Sequence, residues 1–234
     1  VENIVDISKN FLVITEKNAS PLYDLSSQMG IQIIEHNKKI GGRFSIFSHT
    51  GMIPISLFLD NVENFFEGLN QAIINFMNNT SFKNEQSPSE TAQKKYDLIS
   101  NGKNIDVILL YGDELLELGN WMRQLYAESL GKNNFGYLPV ISQMTQDQHS
   151  MLQLYIDGPK DKFFEFYSAD YRESSNFIEI ALANHKEAML KTLESENLPI
   201  VKVSNYFIQN NHEISFQLGY FFAEAILETL VLAE

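Results

Sequence analysis

The amino-acid sequence predicts an α/β fold, a three-layer α/β/α sandwich in which helices cover both faces of parallel sheets. Short apolar runs rich in β-branched and aromatic residues alternate along the chain with longer segments of helical periodicity. The runs are continuously apolar, which is typical of parallel strands buried on both faces. With 44% hydrophobic residues in a chain of 234, there is enough apolar material for one large α/β domain or two small ones.

The first part of the chain predicts a β-α-β unit. Residues 11–15 (FLVIT) form an apolar run of strand type, residues 21–30 begin with Pro and end with Gly as a helix does, and residues 31–35 (IQIIE) predict a second strand. Residues 51–78 predict one or two further helices. A β-α-β order favours parallel pairing of the two strands.

The polar segment 79–90 (NTSFKNEQSPSE) predicts a linker. We therefore expect one domain over residues 1–80, a linker over 81–93 and a second domain over 94–234. In the second domain, strands are predicted at 105–111, 137–143, 163–167 and 199–203, and helices at 91–101, 113–130, 148–156, 184–196 and 213–233. The last helix runs to the end of the sequence without a stop signal, and the sequence starts without Met, so we expect a piece of a longer protein.

The charge and the residue content exclude several classes of function. The net charge of −13 opposes binding to nucleic acid or to anionic membranes, and no apolar run approaches the length of a membrane span. Cysteine is absent from the sequence, which excludes disulfides and thiolate sites and favours a reducing, cytoplasmic location. A small anionic substrate remains compatible with local cations.

Arg43 is the first candidate for chemistry. It follows Gly41 and Gly42 between a predicted strand and predicted helical sequence, so the backbone can turn sharply and approach a ligand closely. The carboxyl end of a sheet is where open α/β folds bind ligands, and a guanidinium there can stabilise an oxyanion. The alternative is an exposed Arg in an ordinary strand-to-helix turn.

Glu128 is the second candidate. Trp121, Gln124, Leu125 and Glu128 follow one another at helical spacing, so we expect one face of the helix to carry both apolar and polar groups. Apolar surroundings and the helix carboxyl terminus would disfavour the anion and move the pKa of Glu128 towards that of a useful base. The alternative is a solvated Glu in the last turn.

His149 lies between a predicted strand and a predicted helix, where loops carry function. The alternative is an ordinary capping or surface histidine. Asp147 and His149 could be two metal ligands, but no third ligand is close in sequence, and we predict no metal. The remaining histidines are interpreted as structural. The sequence contains no phosphate-binding Walker loop, no dinucleotide fingerprint and no serine-hydrolase elbow.

Three segments together resemble the glucose-6-phosphate isomerase family. They are GGRFSIFSHTG at 41–51, RQLYAESLGK at 123–132 and DQHSMLQLYIDGPKDKFF at 147–164, in the order and at the separation of that family. The resemblance extends over nearly the whole chain, covers the central and carboxyl-terminal portion of the family, and is strongest to its shorter bacterial form.

The resemblance implies an enzyme that interconverts glucose 6-phosphate and fructose 6-phosphate through a cis-enediolate, in glycolysis and gluconeogenesis, without a cofactor. It implies two flavodoxin-like sugar-isomerase (SIS) domains, the first incomplete here, and a cytoplasmic homodimer. By motif, Glu128 shuttles a proton between C2 and C1, Arg43 stabilises the enediolate, and His149, donated by the neighbouring subunit, helps to open the sugar ring. Gly42 and Gln124 are the implied substrate-binding residues.

Two parts of the family pattern are absent from this sequence: a Ser- and Thr-rich phosphate loop before residue 11 and a carboxyl-terminal segment that ends in a ring-opening Lys. We therefore expect a fragment that carries the proton-transfer half of the site, and the sequence leaves open both an active and an inactive isolated chain. A non-catalytic module that binds sugar phosphates, a degenerate remnant and a purely structural dimerisation domain remain as alternatives.

Overall fold

A computed structural model describes residues 7–80, 86–169, 174–206 and 211–234 of the protein. Its helices are α1 (Ile7–Asn10), α2 (Pro21–Gln28), α3 (His49–Phe58), α4 (Val62–Asn78), α5 (Pro88–Ser100), α6 (Leu116–Leu130), α7 (Gln146–Asp157), α8 (Phe177–Ser195) and α9 (Asn211–Ala233). Its strands are β1 (Leu12–Thr15), β2 (Gln32–Glu35), β3 (Ile105–Tyr111), β4 (Leu138–Met144), β5 (Lys162–Ala169) and β6 (Ile200–Tyr206). Short 3-10 helices cover Gly42–Phe47 and Asp113–Leu115.

The predicted order of strands and helices is confirmed apart from the short helix α1, which the sequence does not predict, and two differences are larger than the shifts of up to three residues at other ends. The predicted helical stretch 51–78 divides into α3 and α4, because Asn61 caps the start of α4 with its side-chain oxygen 3.2 Å from the Asn64 nitrogen. Helix α8 begins at Phe177 rather than at residue 184, since Asn176 caps it by accepting from the Ile178 nitrogen at 2.9 Å.

The structure divides into two compact units between Leu59 and Asp60. In the first unit, β1 and β2 pair in parallel with Leu12 opposite Gln32, which confirms the predicted β-α-β arrangement. Helix α2 connects them, and its first turn is capped by Ser20.

The second unit is a four-stranded parallel sheet in the order β4-β3-β5-β6 with helices on both faces. Side chains from α7 and α8 pack on one face with a cluster that comprises Val107, Leu109, Tyr111, Phe164, Phe166, Tyr155, Met189 and Leu193. Helices α5, α6 and α9 cover the other face. This is the predicted three-layer arrangement, and burial on both faces explains why β3 and β5 are nearly continuous apolar runs.

The division between the units differs from the predicted domain bounds of 1–80 and 94–234. Helix α4 belongs to the second unit because it packs along α9, with Gly68 and Gly219 at the crossing. Of the predicted linker 81–93, residues 81–85 lie outside the described residues, and α5 begins at Pro88. The assignment of SIS domain bounds stays a prediction.

Helix α9 is long and apolar enough to span a membrane by length and composition. Just over half of its most apolar window is buried inside the protein, against α4, α5 and α6. Its buried face also carries Glu224 and Glu228, which contact lysines on other elements of the second unit. These contacts are those of a core helix.

Candidate active site

Arg43 lies in the first unit, in the 3-10 helix that follows β2. Gly41 has a φ of −65°, and Gly42 is not among the glycines with positive φ, so neither needs the conformational freedom that the sequence suggested. An added Cβ at Gly42 would meet no atom within 4 Å, so the backbone there borders open space. The Arg43 guanidinium carbon lies 4.8 Å from the Phe44 ring centroid, a cation–π contact that holds the charge beside this opening.

His36 holds the loop that leads to Gly41 and Arg43. Its Nε2 lies 2.9 Å from the Ile40 carbonyl oxygen, and its Nδ1 lies 3.0 Å from the Thr50 hydroxyl. A carbonyl only accepts, so Nε2 carries the proton, and Nδ1 of the neutral ring accepts from Thr50. This assignment ties the loop to the first turn of α3. The structural role expected for His36 agrees with these bonds, but its partners were not predictable from spacing.

Glu128 and Gln124 lie on the exposed side of α6, in the second unit. The Gln124 side-chain amide donates to Glu128 Oε1 at 3.0 Å, so the sequence motif does bring these two together. The sequence predicts one helix face that carries both apolar and polar groups. Instead, Leu125 is buried in the core, whereas Gln124 and Glu128 face solvent. The desolvation expected for the Glu128 carboxylate is therefore not provided by the described residues.

An open cleft surrounds these two residues. Asn120, one turn before Gln124, lines it on the side of α6, and Leu138 and Pro139 at the start of β4 line it on the other side. Because α6 runs antiparallel to the strands, its last turn reaches the amino-terminal edge of the sheet. Glu128 thus lies at the edge opposite to the one at which open α/β sheets usually bind ligands.

His149 lies in the first turn of α7, which follows β4. Its side chain is exposed and makes no hydrogen bond to the described residues, while it lines a second cleft with Thr145, Gln153 and His185. The start of α7 is fixed by Asp147, whose carboxylate accepts from the Gln143 backbone nitrogen at 2.8 Å.

The clefts of Glu128 and His149 lie at opposite ends of β4. The first includes Leu138 and Pro139, and the second begins at Thr145, directly after the last residue of the strand. The seven-residue strand is about 20 Å long at about 3.3 Å per residue, and His149 follows its far end. One chain therefore does not bring Glu128 and His149 into one site, and Arg43 belongs to the other compact unit.

Metal ligands do not converge in this region. Across the described ranges, no three His, Asp or Glu side chains are placed to hold a metal ion, and the Asp147 carboxylate is already engaged by backbone.

The chain is similar to known proteins over most of its length. A family model described as phosphoglucose isomerase matches residues 5–192. A probable glucose-6-phosphate isomerase of Methanococcus maripaludis is 29% identical over 213 residues, which are 86% of this chain and 48% of the relative. A glucose-6-phosphate isomerase of Campylobacter jejuni is 33% identical over 166 residues, 69% of this chain and 39% of the relative.

Solved structures support the fold. A hypothetical protein of Thermus thermophilus superposes with a TM-score of 0.79 at 20% identity, covering 98% of this chain and 59% of that protein. A glucose-6-phosphate isomerase of Chlamydia trachomatis superposes with a TM-score of 0.69 at 19% identity, covering 97% of this chain and 49% of that protein. The chain spans about half the length of the curated relatives or less.

Proposed function

Because the chain belongs to the phosphoglucose isomerase family, we propose that it carries the proton-transfer part of a site that interconverts glucose 6-phosphate and fructose 6-phosphate through a cis-enediolate. The family match supports this proposal most directly, because the matched residues 5–192 include Arg43, Glu128 and His149. The chemistry needs a base beside the sugar carbonyl and a cation for the enediolate oxygen.

In this proposal Glu128 moves the proton between C2 and C1 of the open-chain sugar. The 3.0 Å hydrogen bond from Gln124 orients the carboxylate, and Gln124 and the Gly42 backbone contact substrate. Arg43 stabilises the enediolate, and His149 helps to open the ring. Since Glu128 is exposed in the single chain, substrate and neighbouring protein have to exclude water before the carboxylate acts as an efficient base.

We further propose a homodimer in which His149 is donated across the interface. The placement of Glu128 and His149 near opposite ends of β4, a strand about 20 Å long, supports it, because a sugar phosphate spans less than that distance. The exposed imidazole of His149 is available to a partner subunit. A cysteine-free sequence fits the proposed cytoplasmic location.

The base assignment is tested by Glu128→Gln in the full-length protein, assayed on fructose 6-phosphate with coupled detection of glucose 6-phosphate. Loss of a general base lowers kcat by roughly 10²- to 10⁴-fold, with little change in KM. Glu187→Gln on α8 is the matched control, because it removes an exposed helical carboxylate outside both clefts and should leave kcat unchanged. Near-normal turnover by Glu128→Gln would remove Glu128 from the proposed role.

Subunit sharing is tested by mixing Glu128→Gln with His149→Ala after both are unfolded and refolded together. If each site takes His149 from the partner, half of the dimers are mixed and each mixed dimer has one intact site, so about a quarter of wild-type activity returns. If each site uses the His149 of its own chain, every site in the mixture has a defect and no activity returns.

The exposure of Glu128 favours a second candidate, a module that binds sugar phosphates without turnover. Calorimetric titration with 6-phosphogluconate, combined with the isomerase assay, separates the two. Binding together with turnover supports the isomerase, and binding by a chain without turnover supports the module.

A further inference from the structure

A cluster of four ionisable side chains lies in the core of the second unit, outside both clefts. The Lys95 ammonium on α5 is 3.3 Å from an Asp106 oxygen on β3, 2.9 Å from Glu165 on β5 and 2.6 Å from Glu228 on α9. All four side chains are at most 1% exposed. The proposed isomerase chemistry uses none of them.

The sheet register places the two strand carboxylates side by side. Asp106 pairs with Phe163, so Glu165, two residues further along β5, points to the same face of the sheet as Asp106. Lys95 approaches from the helix layer, where its Nζ lies 4.5 Å from the Tyr126 ring centroid and 5.5 Å from that of Tyr137. Burial raises the pKa of each of these tyrosine hydroxyls well above its usual range, so they are neutral neighbours of the cluster.

The charges of the cluster do not balance. One ammonium faces three carboxyl groups, and the nearest other charges, Lys202 on β6 and Glu224 on α9, neutralise each other as a buried pair. The Tyr167 hydroxyl, 3.5 Å from Glu165 Oε2, is a neutral neighbour. A fully ionised cluster would leave an excess of two negative charges out of contact with water, which is far costlier than neutralising a carboxyl group.

Hydrogen-bond capacity leads to the same conclusion. The Lys95 ammonium has three N–H donors and the Tyr167 hydroxyl adds one, whereas three ionised carboxylates present six acceptor oxygens and no donor. A protonated carboxyl group removes one charge and supplies one O–H donor to a neighbouring carboxylate.

We propose that this cluster is a buried proton-binding site, in which either Asp106 or Glu165 holds one proton at neutral pH in addition to the proton of Lys95. Proton uptake is then part of folding, and it ties β3, β5, α5 and α9 together. The proposal does not depend on the isomerase activity.

The electrostatic surroundings agree with this assignment. Burial, reinforced by the charge of Glu165, raises the pKa of Asp106 well above its usual range, and burial also raises the pKa of Glu165 against the opposing effect of Lys95. Burial alone would lower the pKa of Lys95, but the three carboxyl groups together raise it, so the ammonium persists.

The sign of the pH dependence follows from these directions. The folded protein holds a proton that the unfolded chain releases above the ordinary carboxyl pKa of about 3.9. This contribution to stability is therefore complete below that pKa and is lost as the pH rises through the raised folded-state pKa. The unfolding equilibrium constant should increase with pH by up to about tenfold per unit for the one linked proton.

The test compares urea unfolding of wild type and Asp106→Asn between about pH 5 and pH 9. Asn imitates the protonated carboxyl without titrating, so the ratio of the wild-type to the variant unfolding constant should rise with pH, by up to about tenfold per unit. Asp97→Asn is the matched control, because Asp97 is exposed on the same helix as Lys95 and its curve should parallel that of wild type. A constant ratio for Asp106→Asn would overturn the proposal.

A second measurement covers the case in which Asp106→Asn does not fold. Infrared spectra of the folded wild type at neutral pH should show the carbonyl stretch of a protonated carboxylic acid, shifted in D₂O. Exposed carboxyl groups are ionised at this pH and do not contribute to it. Absence of this band in the folded wild type would overturn the proposal without any variant.

Discussion

Two glycines at the crossing of α4 and α9 allow us to predict how much stability is lost when a methyl group is added there. A Cβ added at Gly219 would lie 1.9 Å from the Phe65 carbonyl oxygen, and one added at Gly68 would lie 1.9 Å from the Phe216 carbonyl oxygen. Both contacts are with backbone, so no side chain can rotate away. For Gly219→Ala the helices have to separate by about 1.5 Å to reach an ordinary van der Waals distance. A gap of only about 0.5–1 Å already loses a quarter to a half of the energy of each van der Waals contact.

Two opposing contributions set the size of the effect. Ala is favoured over Gly inside a helix by about 1 kcal/mol, whereas overpacking of a tight core costs about 1–3 kcal/mol and here also weakens the packing of Phe65 and Phe222 along the crossing. With the added loss of packing, we expect Gly219→Ala to lower the free energy of unfolding by about 1–2 kcal/mol, or the Tm by roughly 2–8 °C for a unit of this size.

The assay is urea unfolding followed by circular dichroism, with Gly119→Ala as a graded comparison. Gly119 is also helical, but its added Cβ would meet the terminal methyl of Leu110 at 2.6 Å, a flexible group that can move, so the loss should be smaller. Gly68→Ala combined with Gly219→Ala should cost less than the sum of the two, because one separation of the helices relieves both contacts. A Gly219→Ala protein as stable as wild type would refute this account of the crossing.

Three further predictions concern other parts of the chain. Lys95→Met should destabilise by roughly 3–5 kcal/mol, because it leaves three buried carboxyl groups without their cation, and chemical denaturation against the exposed Lys94→Met measures it. Ser87→Ala should cost about 1 kcal/mol, since Ser87 caps α5 in a capping box; Ser89→Ala, which leaves the cap intact, should cost less. Thr50→Val removes the hydroxyl next to His36 Nδ1 but keeps the Ile40 carbonyl that accepts from Nε2, so ¹⁵N NMR should show the Nε2–H tautomer in both proteins and a shifted Nδ1 resonance in the variant; an unchanged Nδ1 resonance would contradict the role of Thr50.

The fold was largely predictable because its signals are local. Continuous apolar runs identified β3, β4, β5 and β6 within one or two residues at most ends, and a Gly after α2 marked its end. The division at Leu59 was not predictable in this way. It depends on α4 packing against α9, which is about 150 residues away in sequence, and on glycines whose need appears only when the two backbones meet.

The buried ion cluster had no sequence signal either. Lys95 and Glu228 occupy positions on helices that also carry exposed charges, and Asp106 occupies the second position of a strand, where a polar residue commonly marks an edge. Only the register of β3 with β5 and the approach of α9 bring these groups into contact. Long-range charge pairing of this kind is a tertiary property that periodicity does not encode.

In the candidate site, as in the fold, the sequence predicts contacts between residues on one helix but not the placement of residues on different elements. Gln124 and Glu128 are four residues apart on one helix, so their hydrogen bond follows from helix geometry, and spacing was sufficient to group them. Glu128 and His149 are close in sequence yet lie at opposite ends of β4, because α6 returns along the sheet and β4 then crosses it again. These two motifs therefore lie far apart within one chain, and the proposed sharing between subunits would bring them together. The mixing experiment with Glu128→Gln and His149→Ala decides this point, because return of activity requires residues from two different chains in one site.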